Sequence, residues 1–210
     1  MNAAAAVCPV LVIVEGVNDI EFLKRLSSRL HAERLEITDL VRLHSEARIL
    51  FVPTGGGNFC DWATRFAGLA CREFHLYDRE LAPETERRQR AVELINARPH
   101  CRGFLTAKRS LENYLHSRAV AQASGGEIPV GDDECVGSVL ARHWYELIPQ
   151  RDPWPQLTRR AHQRLAYRAK RWLNRQAVEQ MTISLLNERD PGGEVLQWLE
   201  VIAGMATAIP

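Results

Sequence analysis

The sequence predicts an α/β fold, with a largely parallel sheet flanked by helices and a helical appendage after it. Three observations carry this. Short apolar runs and helix-period patterns alternate through the first half of the chain. The first run, Val10-Leu11-Val12-Ile13-Val14, is apolar at every position, as a strand buried on both faces requires. Beyond residue 120 the pattern turns helical and offers no convincing strand. Strands interleaved with helices at short intervals imply crossover connections, and hence parallel pairing.

After the first strand, Ile20, Leu23, Leu26 and Leu30 recur at helical spacing. Residues 49–52 form a second apolar run, closed by Pro53 and the Gly55-Gly56-Gly57 turn. Asn58 is placed to cap a helix running through Trp62, Phe66 and Leu69. Residues 74–77 are a third strand, and Pro83 opens a helix carrying Ala91, Val92 and Ile95. Cys101 to Leu105 is the fourth strand. Residues 124–131, rich in glycine, read as a loop or linker, and three helical patterns follow at residues 134–147, 155 to about 180, and 194–205. The expected plan is an α/β domain over residues 1–120 and a helical C-terminal appendage over residues 121–210.

Composition narrows the functional classes. A hydrophobic share of 46% and a charged share of 25% exclude a collagen, a coiled coil and wholesale disorder. The five cysteines are scattered without a CxxC pair, which argues against a zinc ribbon and for a reduced chain. The seven histidines show no HxH or HxxxH spacing and read as core or surface residues, with His75 and His116 nearest the acids described below. The apolar stretch at residues 3–14 is too short to span a bilayer, lacks a basic flank and ends before Glu15, so a cytoplasmic location without membrane association is expected. The net charge of +1 means that affinity for nucleic acid must come from a local patch.

The acids have a pattern. Glu15 directly follows the first strand and Asp19 lies in the first turn of the next helix. Asp78 ends the third strand, with Glu80 two residues beyond. Thr106 to Glu112, including Lys108, Arg109 and Ser110, follows the fourth strand. In parallel sheets ligands bind beyond the carboxyl ends of the strands, so these positions should meet at one edge. Gathered carboxylates repel unless a cation sits between them, and an oxygen-rich cluster suits Mg²⁺ or Mn²⁺. Taken singly, each acid also reads as a helix N-terminal charge or a solvated loop residue.

With these residues in view the sequence becomes recognisable. The segment Val12-Ile13-Val14-Glu15-Gly16-Val17-Asn18-Asp19 resembles the first motif of the TOPRIM domain. His75-Leu76-Tyr77-Asp78-Arg79-Glu80 resembles its second motif, Asp-x-Asp. Lys108-Arg109-Ser110-Leu111-Glu112-Asn113-Tyr114-Leu115 is similar to a downstream segment of TOPRIM nucleases of the OLD (overcoming lysogenization defect) type, and the Gly55-Gly56-Gly57-Asn58 turn fits that group. The resemblance spans roughly residues 9–118 and implies a TOPRIM, Rossmann-like catalytic domain with Mg²⁺- or Mn²⁺-dependent phosphodiester chemistry, an endonuclease role and, at the family level, defence against phage and other mobile elements. It implies two bound ions, with Glu15 a metal carboxylate or general base, Asp78 and Glu80 on one ion, Asp19 sharing it or holding the second, Glu112 on the second with Ser110 as an optional co-ligand, and Lys108 stabilising the transferring phosphate. Two departures stand out. Glu80 replaces the usual Asp, and there is no GxxxxGK[ST] sequence, so the ATPase module common in that group would be a separate chain or dispensable.

Residues 151–176 carry eight basic side chains and one acid, whereas the remainder of the chain is net acidic. Arg160, Arg164, Arg168, Arg171 and Arg175, spaced 4, 4, 3 and 4, fall on one helical stripe beside an apolar stripe of Ala161, Leu165, Ala169, Trp172 and Leu173. A guanidinium row suits phosphate tracking; the other reading is a solvated face paired with the acidic segment after residue 176. The expectation is a metal-dependent nuclease favouring DNA over RNA, with a homo-oligomer open. Its rivals are an inert nucleic-acid-binding module, a subunit active only with a separate ATPase, and a phosphotransfer enzyme for small nucleotides.

Overall fold

A computed structural model describes residues 8–69 and 71–207, so the start of the apolar stretch at residues 3–14 lies outside the described residues. Strands β1 (Val10–Val14), β2 (Ile49–Pro53), β3 (Glu73–Tyr77) and β4 (Cys101–Leu105) form one sheet in the order β2-β1-β3-β4. Every pairing is parallel: Val12 lies opposite Phe51 on one side and Phe74 on the other, and His75 opposite Gly103. The α/β fold with a parallel sheet flanked by helices is therefore what the chain adopts.

The order of the strands dictates where the helices go. From β1 the chain runs through α1 (Val17–Glu33) and α2 (Leu40–Ser45) to β2 on one side, then returns to β3 on the other. From β3 it runs through α4 (Glu84–Asn96) to β4, continuing outwards. Right-handed crossovers made in opposite directions deposit their helices on opposite faces. Strand alternation follows suit: Val10, Val12, Val14, Phe74 and Leu76 pack with α1 and α2, whereas Tyr77 and Cys101 pack with Ala91, Val92 and Ile95 of α4 and Phe59 of the short helix α3 (Phe59–Trp62). On that second face Glu73, His75 and Tyr77, two residues apart, form a buried ladder. His75 Nε2 is 2.9 Å from Glu73, its Nδ1 is 2.8 Å from the Tyr77 hydroxyl, and Arg98 closes an ion pair on Glu73.

The helices after residue 120 cover the first face. They follow α5 (Ser117–Ser124) and comprise α6 (Val136–Glu146), α7 (Arg159–Trp172), α8 (Ile183–Arg189) and α9 (Glu194–Thr207). Their buried side chains, among them Leu140, Leu173, Leu186, Trp198 and Ile202, share one apolar cluster with β1, β3 and α1. Trp198 stands edge-on to Tyr114 with ring centroids 5.2 Å apart, and the Tyr114 hydroxyl donates to Glu194.

Two segments differ from the sequence expectation. The helix expected through Trp62, Phe66 and Leu69 stops at Trp62, and only a 3₁₀ turn, Ala67–Leu69, follows. Beyond Ala63 its side chains find no buried face, and a short helix without packing does not propagate. The pattern from 155 to about 180 is helical but not uniform: α7 ends at Trp172 and passes into a π-helical turn, Leu173–Ala177.

Because Trp198 is fully buried in the cluster it shares with the sheet, Trp198→Ala is expected to cost about 3–5 kcal/mol of unfolding free energy. Urea unfolding followed by circular dichroism should show one transition shifted as a whole. A biphasic curve with the sheet unaffected would show that the C-terminal helices melt alone.

Candidate active site

The chain changes direction across the sheet between β1 and β3, and that switch point is where the carboxyl ends of two neighbouring strands leave a crevice open. Glu15 leaves β1 and Asp78 leaves β3, side by side. The Glu15 carboxylate accepts the backbone N–H of Asp78 at 3.0 Å and takes Arg88 of α4 in a two-point contact at 2.9 and 3.1 Å. Asp19 sits in the first turn of α1, where the unpaired N–H groups favour an acid, and its Oδ2 accepts from Gly16 N at 2.8 Å. Beyond β4, Ser110 starts a 3₁₀ turn (Leu111–Tyr114) that carries Glu112 into the interior. Leu111 N donates to Asp78 Oδ1 at 3.1 Å, tying this turn to the end of β3.

A second cation stands among these acids. The Lys170 ammonium, delivered by α7, lies 3.3 Å from Glu112, 3.6 Å from Asp19 and 3.8 Å from Asp78. Asn174, one turn on, donates to Glu112 at 2.6 Å, and Ser110 Oγ donates to its other oxygen at 2.9 Å. Burial pushes the Asp19 carboxyl up to about 6, against the pull of Lys170. Burial raises Asp78 well above the usual carboxylate range as well, with Asp19, Glu15 and Glu112 adding to it. Burial works against the Lys170 ammonium, but Glu112, Asp78 and Asp19 outweigh it and keep it protonated.

The charges do not balance. Glu15, Asp19, Asp78 and Glu112 face Arg88 and Lys170, leaving a formal excess of two negative charges when all four acids are ionised. Hard carboxylate oxygens in that excess are the donor chemistry that Mg²⁺ or Mn²⁺ takes. Asp78, Asp19 and Glu112 each direct an oxygen at the ammonium and could hold such an ion. Among the described residues no three acids are gathered closely enough to form a ready-made metal cage; they are spaced around the ammonium instead. A cavity of about 490 Å³ opens on one side of Lys170, bordered by Glu15, Gly16, Asp19, Gly55 and Tyr167. Gly55 at its rim, and Gly56 and Gly57 after it, all have positive φ, a conformation that favours glycine, so the turn carries no side chains there. A smaller cavity of about 160 Å³ lies on the other side, bordered by Glu80, Ser110, Glu112 and Gly137.

The sheet edge thus brings together Glu15, Asp19, Asp78 and Glu112. Glu80 is set apart: its backbone turns to φ 54° and its carboxylate takes Arg109 Nε at 3.0 Å, so it makes no contact with Lys170. Lys108 pairs with Asp132 at 2.7 Å and lies over the Tyr114 ring, away from the three carboxylates around Lys170. Of the arginine stripe, Arg160, Arg164, Arg168 and Arg171 are exposed and form no ion pair among the described residues. Arg175, carried round by the π turn, leans on Glu21 at 3.4 Å. Acids after residue 176 that form ion pairs take Arg25 and Arg118 rather than the stripe. His75 is committed to the ladder under α4, and His116 caps α5.

Sequence reasoning missed Arg88, Lys170 and Asn174. Arg88 carried a signal: with Ala91, Val92 and Ile95 it lies on the buried stripe of its helix, where a charge demands a partner. Lys170 carried a weaker one, as the single lysine in a run of arginines.

Protons and a divalent cation compete for the same oxygens. An acid raised from 3.8 to about 6 costs native stability as pH rises through that window, because the folded chain must ionise it in a dry site. Without metal, the thermal midpoint should therefore fall across pH 4–6 by an amount that Asp19→Asn removes. At pH 8, Mn²⁺ near 100 times its Kd should raise the midpoint by about 5–10 °C, and at pH 5 by much less. An equal rise in Asp78→Asn would place the ion elsewhere.

No family model matches the chain, and no curated protein matches it. Among solved structures it is similar to the C-terminal region of an OLD protein of Xanthomonas campestris pv. campestris, with 17% identity over 92% of this chain and 93% of that one and a TM-score of 0.46.

Proposed function

We propose that this chain is a TOPRIM-type, Mg²⁺- or Mn²⁺-dependent nuclease that hydrolyses phosphodiester bonds, with DNA the favoured substrate. The observation that carries the reading is the convergence of Asp19, Asp78 and Glu112 on one ammonium at the β1/β3 switch point. A site with this excess of negative charge, open to a cavity and rimmed by glycines, suits a divalent cation and a phosphate together. The TOPRIM-like Glu-Gly segment contributes Glu15 and Asp19 and the Asp-x-Glu segment contributes Asp78, while Glu112 and Lys170 come from the turn after β4 and from α7.

In this reading Asp78, Asp19 and Glu112 hold the metal, which when bound supplies Lewis-acid polarisation of the phosphoryl group. Glu15, clamped by Arg88, fixes the backbone of Asp78 and so the position of its carboxylate. Lys170 takes the part expected of Lys108: its ammonium neutralises a phosphate oxygen as charge builds there. Asn174 and Ser110 hold Glu112 in place. The exposed arginines of α7 track the phosphates beyond the site. No described helix is long and apolar enough to cross a membrane. A cytoplasmic location and a separate ATPase partner belong to the same proposal.

The test is cleavage of supercoiled plasmid and of single-stranded RNA in Mg²⁺ or Mn²⁺, with thermal melting to show that the variants fold. Asp78→Ala should abolish cutting, and Lys170→Gln should reduce it about 10²-fold or more. Equal cutting by wild type and Asp78→Ala would overturn the proposal. Metal binding without cutting would identify a partner-dependent subunit or an inert module. Replacing Arg164, Arg168 and Arg171 with Gln should weaken DNA binding and lower the slope of log affinity against log salt by up to about three. An unchanged slope would remove the stripe from the interface.

A further inference from the structure

Lys170 is one of two α7 side chains that border both cavities; the other large one is Tyr167, one turn earlier. Tyr167 is 55% exposed, and among the described residues its hydroxyl makes no hydrogen bond and its ring no aromatic contact. The other aromatic side chains of the C-terminal helices do have partners: Trp172 stacks edge-on with Trp144, Tyr145 with Trp154, and Trp198 with Tyr114. An unengaged phenol at the mouth of a cavity is an open apolar face waiting for a planar partner.

Its surroundings say which partner. Residues three and four apart on a helix are neighbours, so Tyr167 stands between Arg164 and Arg171 and one turn before Lys170. A ring set between cations is the arrangement that receives a nucleic-acid strand, with phosphates on the cations and a base on the ring. A volume of about 490 Å³, open to the surface, lies within the range of sites that take one small ligand and has room for a nucleotide. A paired base inside a duplex has both faces covered by its neighbours and offers none to a tyrosine, so only an unpaired or extruded base can use this ring.

We infer that Tyr167 is a stacking platform for an unpaired base beside the scissile phosphate, and that this site takes single-stranded nucleic acid. The inference rests on the phosphodiester reading of the same site and assigns its substrate class. Tyr167 positions the strand; the proposal gives it no part in proton transfer.

The experiment measures binding in EDTA, where no metal acts, to a fluorescent single-stranded DNA 12-mer and to the same strand with three central abasic nucleotides. Both carry the same phosphates. Wild type should prefer the intact strand by about 5- to 140-fold, the effect of one base–aromatic stack. Tyr167→Ala should lose that preference while binding the abasic strand as wild type does, and Tyr167→Phe should keep it. Wild type that does not discriminate, Tyr167→Ala that still does, or Tyr167→Phe that loses as much as alanine would each overturn the inference. Failure of the nuclease reading looks different: a chain that discriminates the strands yet cuts neither substrate in Mn²⁺ retains the stacking site and loses the chemistry.

Discussion

Three carboxylates drawn out of water around a single ammonium set the terms for the rest of this molecule. Burying one ionised carboxylate without compensation is expensive; Lys170 reaches all three, and burial raises Asp19 and Asp78 so that they retain protons where the ammonium does not suffice. That requirement joins distant parts of the chain. Asp19 comes from the first turn of α1, Asp78 from the end of β3, Glu112 from the turn after β4, and the cation from α7. Close approach of α7 depends on α6: a Cβ at Gly137 would stand 3.0 Å from the Ala166 carbonyl oxygen and 3.4 Å from Lys170 Cβ. A side chain at position 137 would press on the turn that carries the ammonium.

The sheet has two faces with different duties. Under α4, Glu73 is fully buried; burial works against its charge, but His75 and Arg98 outweigh that and hold its carboxyl below the usual range. Glu73 and His75 are fully buried in this network, and Arg98, which also donates to the Ala63 carbonyl, closes it at the half-buried edge. At the carboxyl edge, by contrast, Arg88 and Lys170 fall two charges short of the four acids once all are ionised, beside an open cavity. Satisfied polar groups specify a fold, whereas unsatisfied charge beside solvent is available to a ligand. The first face of the sheet is anchored by the C-terminal helices, so the helix that delivers Lys170 is part of the same apolar cluster as the strands.

The strands were legible because a strand buried on both faces has no room for polar residues, and Val10 to Val14 shows none. The acids were legible because their positions follow from the strands: an acid directly after a parallel strand points to the ligand edge. Glu80 shows where that logic stops. Position after a strand fixes proximity, not direction, and the turn at φ 54° sends the side chain to Arg109. Lys108 likewise follows β4 but is claimed by Asp132, a residue of the loop before α6 that no local pattern connects to it. Lys170 was hidden for the opposite reason. It belongs to a basic helix whose conspicuous feature is the arginine stripe, and only the packing of α7 on α6 reveals which single cation turns inward.

That division of labour along α7 has a physical consequence for any substrate. The helix presents arginines to solvent, Tyr167 at the cavity mouth and Lys170 to the acids, all on one rigid element. Rigidity makes the three contacts interdependent: in the proposed function, a strand held by the arginines and the ring would arrive at the carboxylates with its phosphate already placed. An incoming phosphate is repelled by the excess negative charge unless a cation neutralises it, and Lys170 is the cation nearest at hand. If the ammonium pairs with a phosphate, Asp19, Asp78 and Glu112 lose their counter-ion, and these carboxylates would hold a divalent cation more tightly for the same electrostatic reason. Phosphate and metal are therefore expected to strengthen each other's binding, each removing the repulsion that opposes the other.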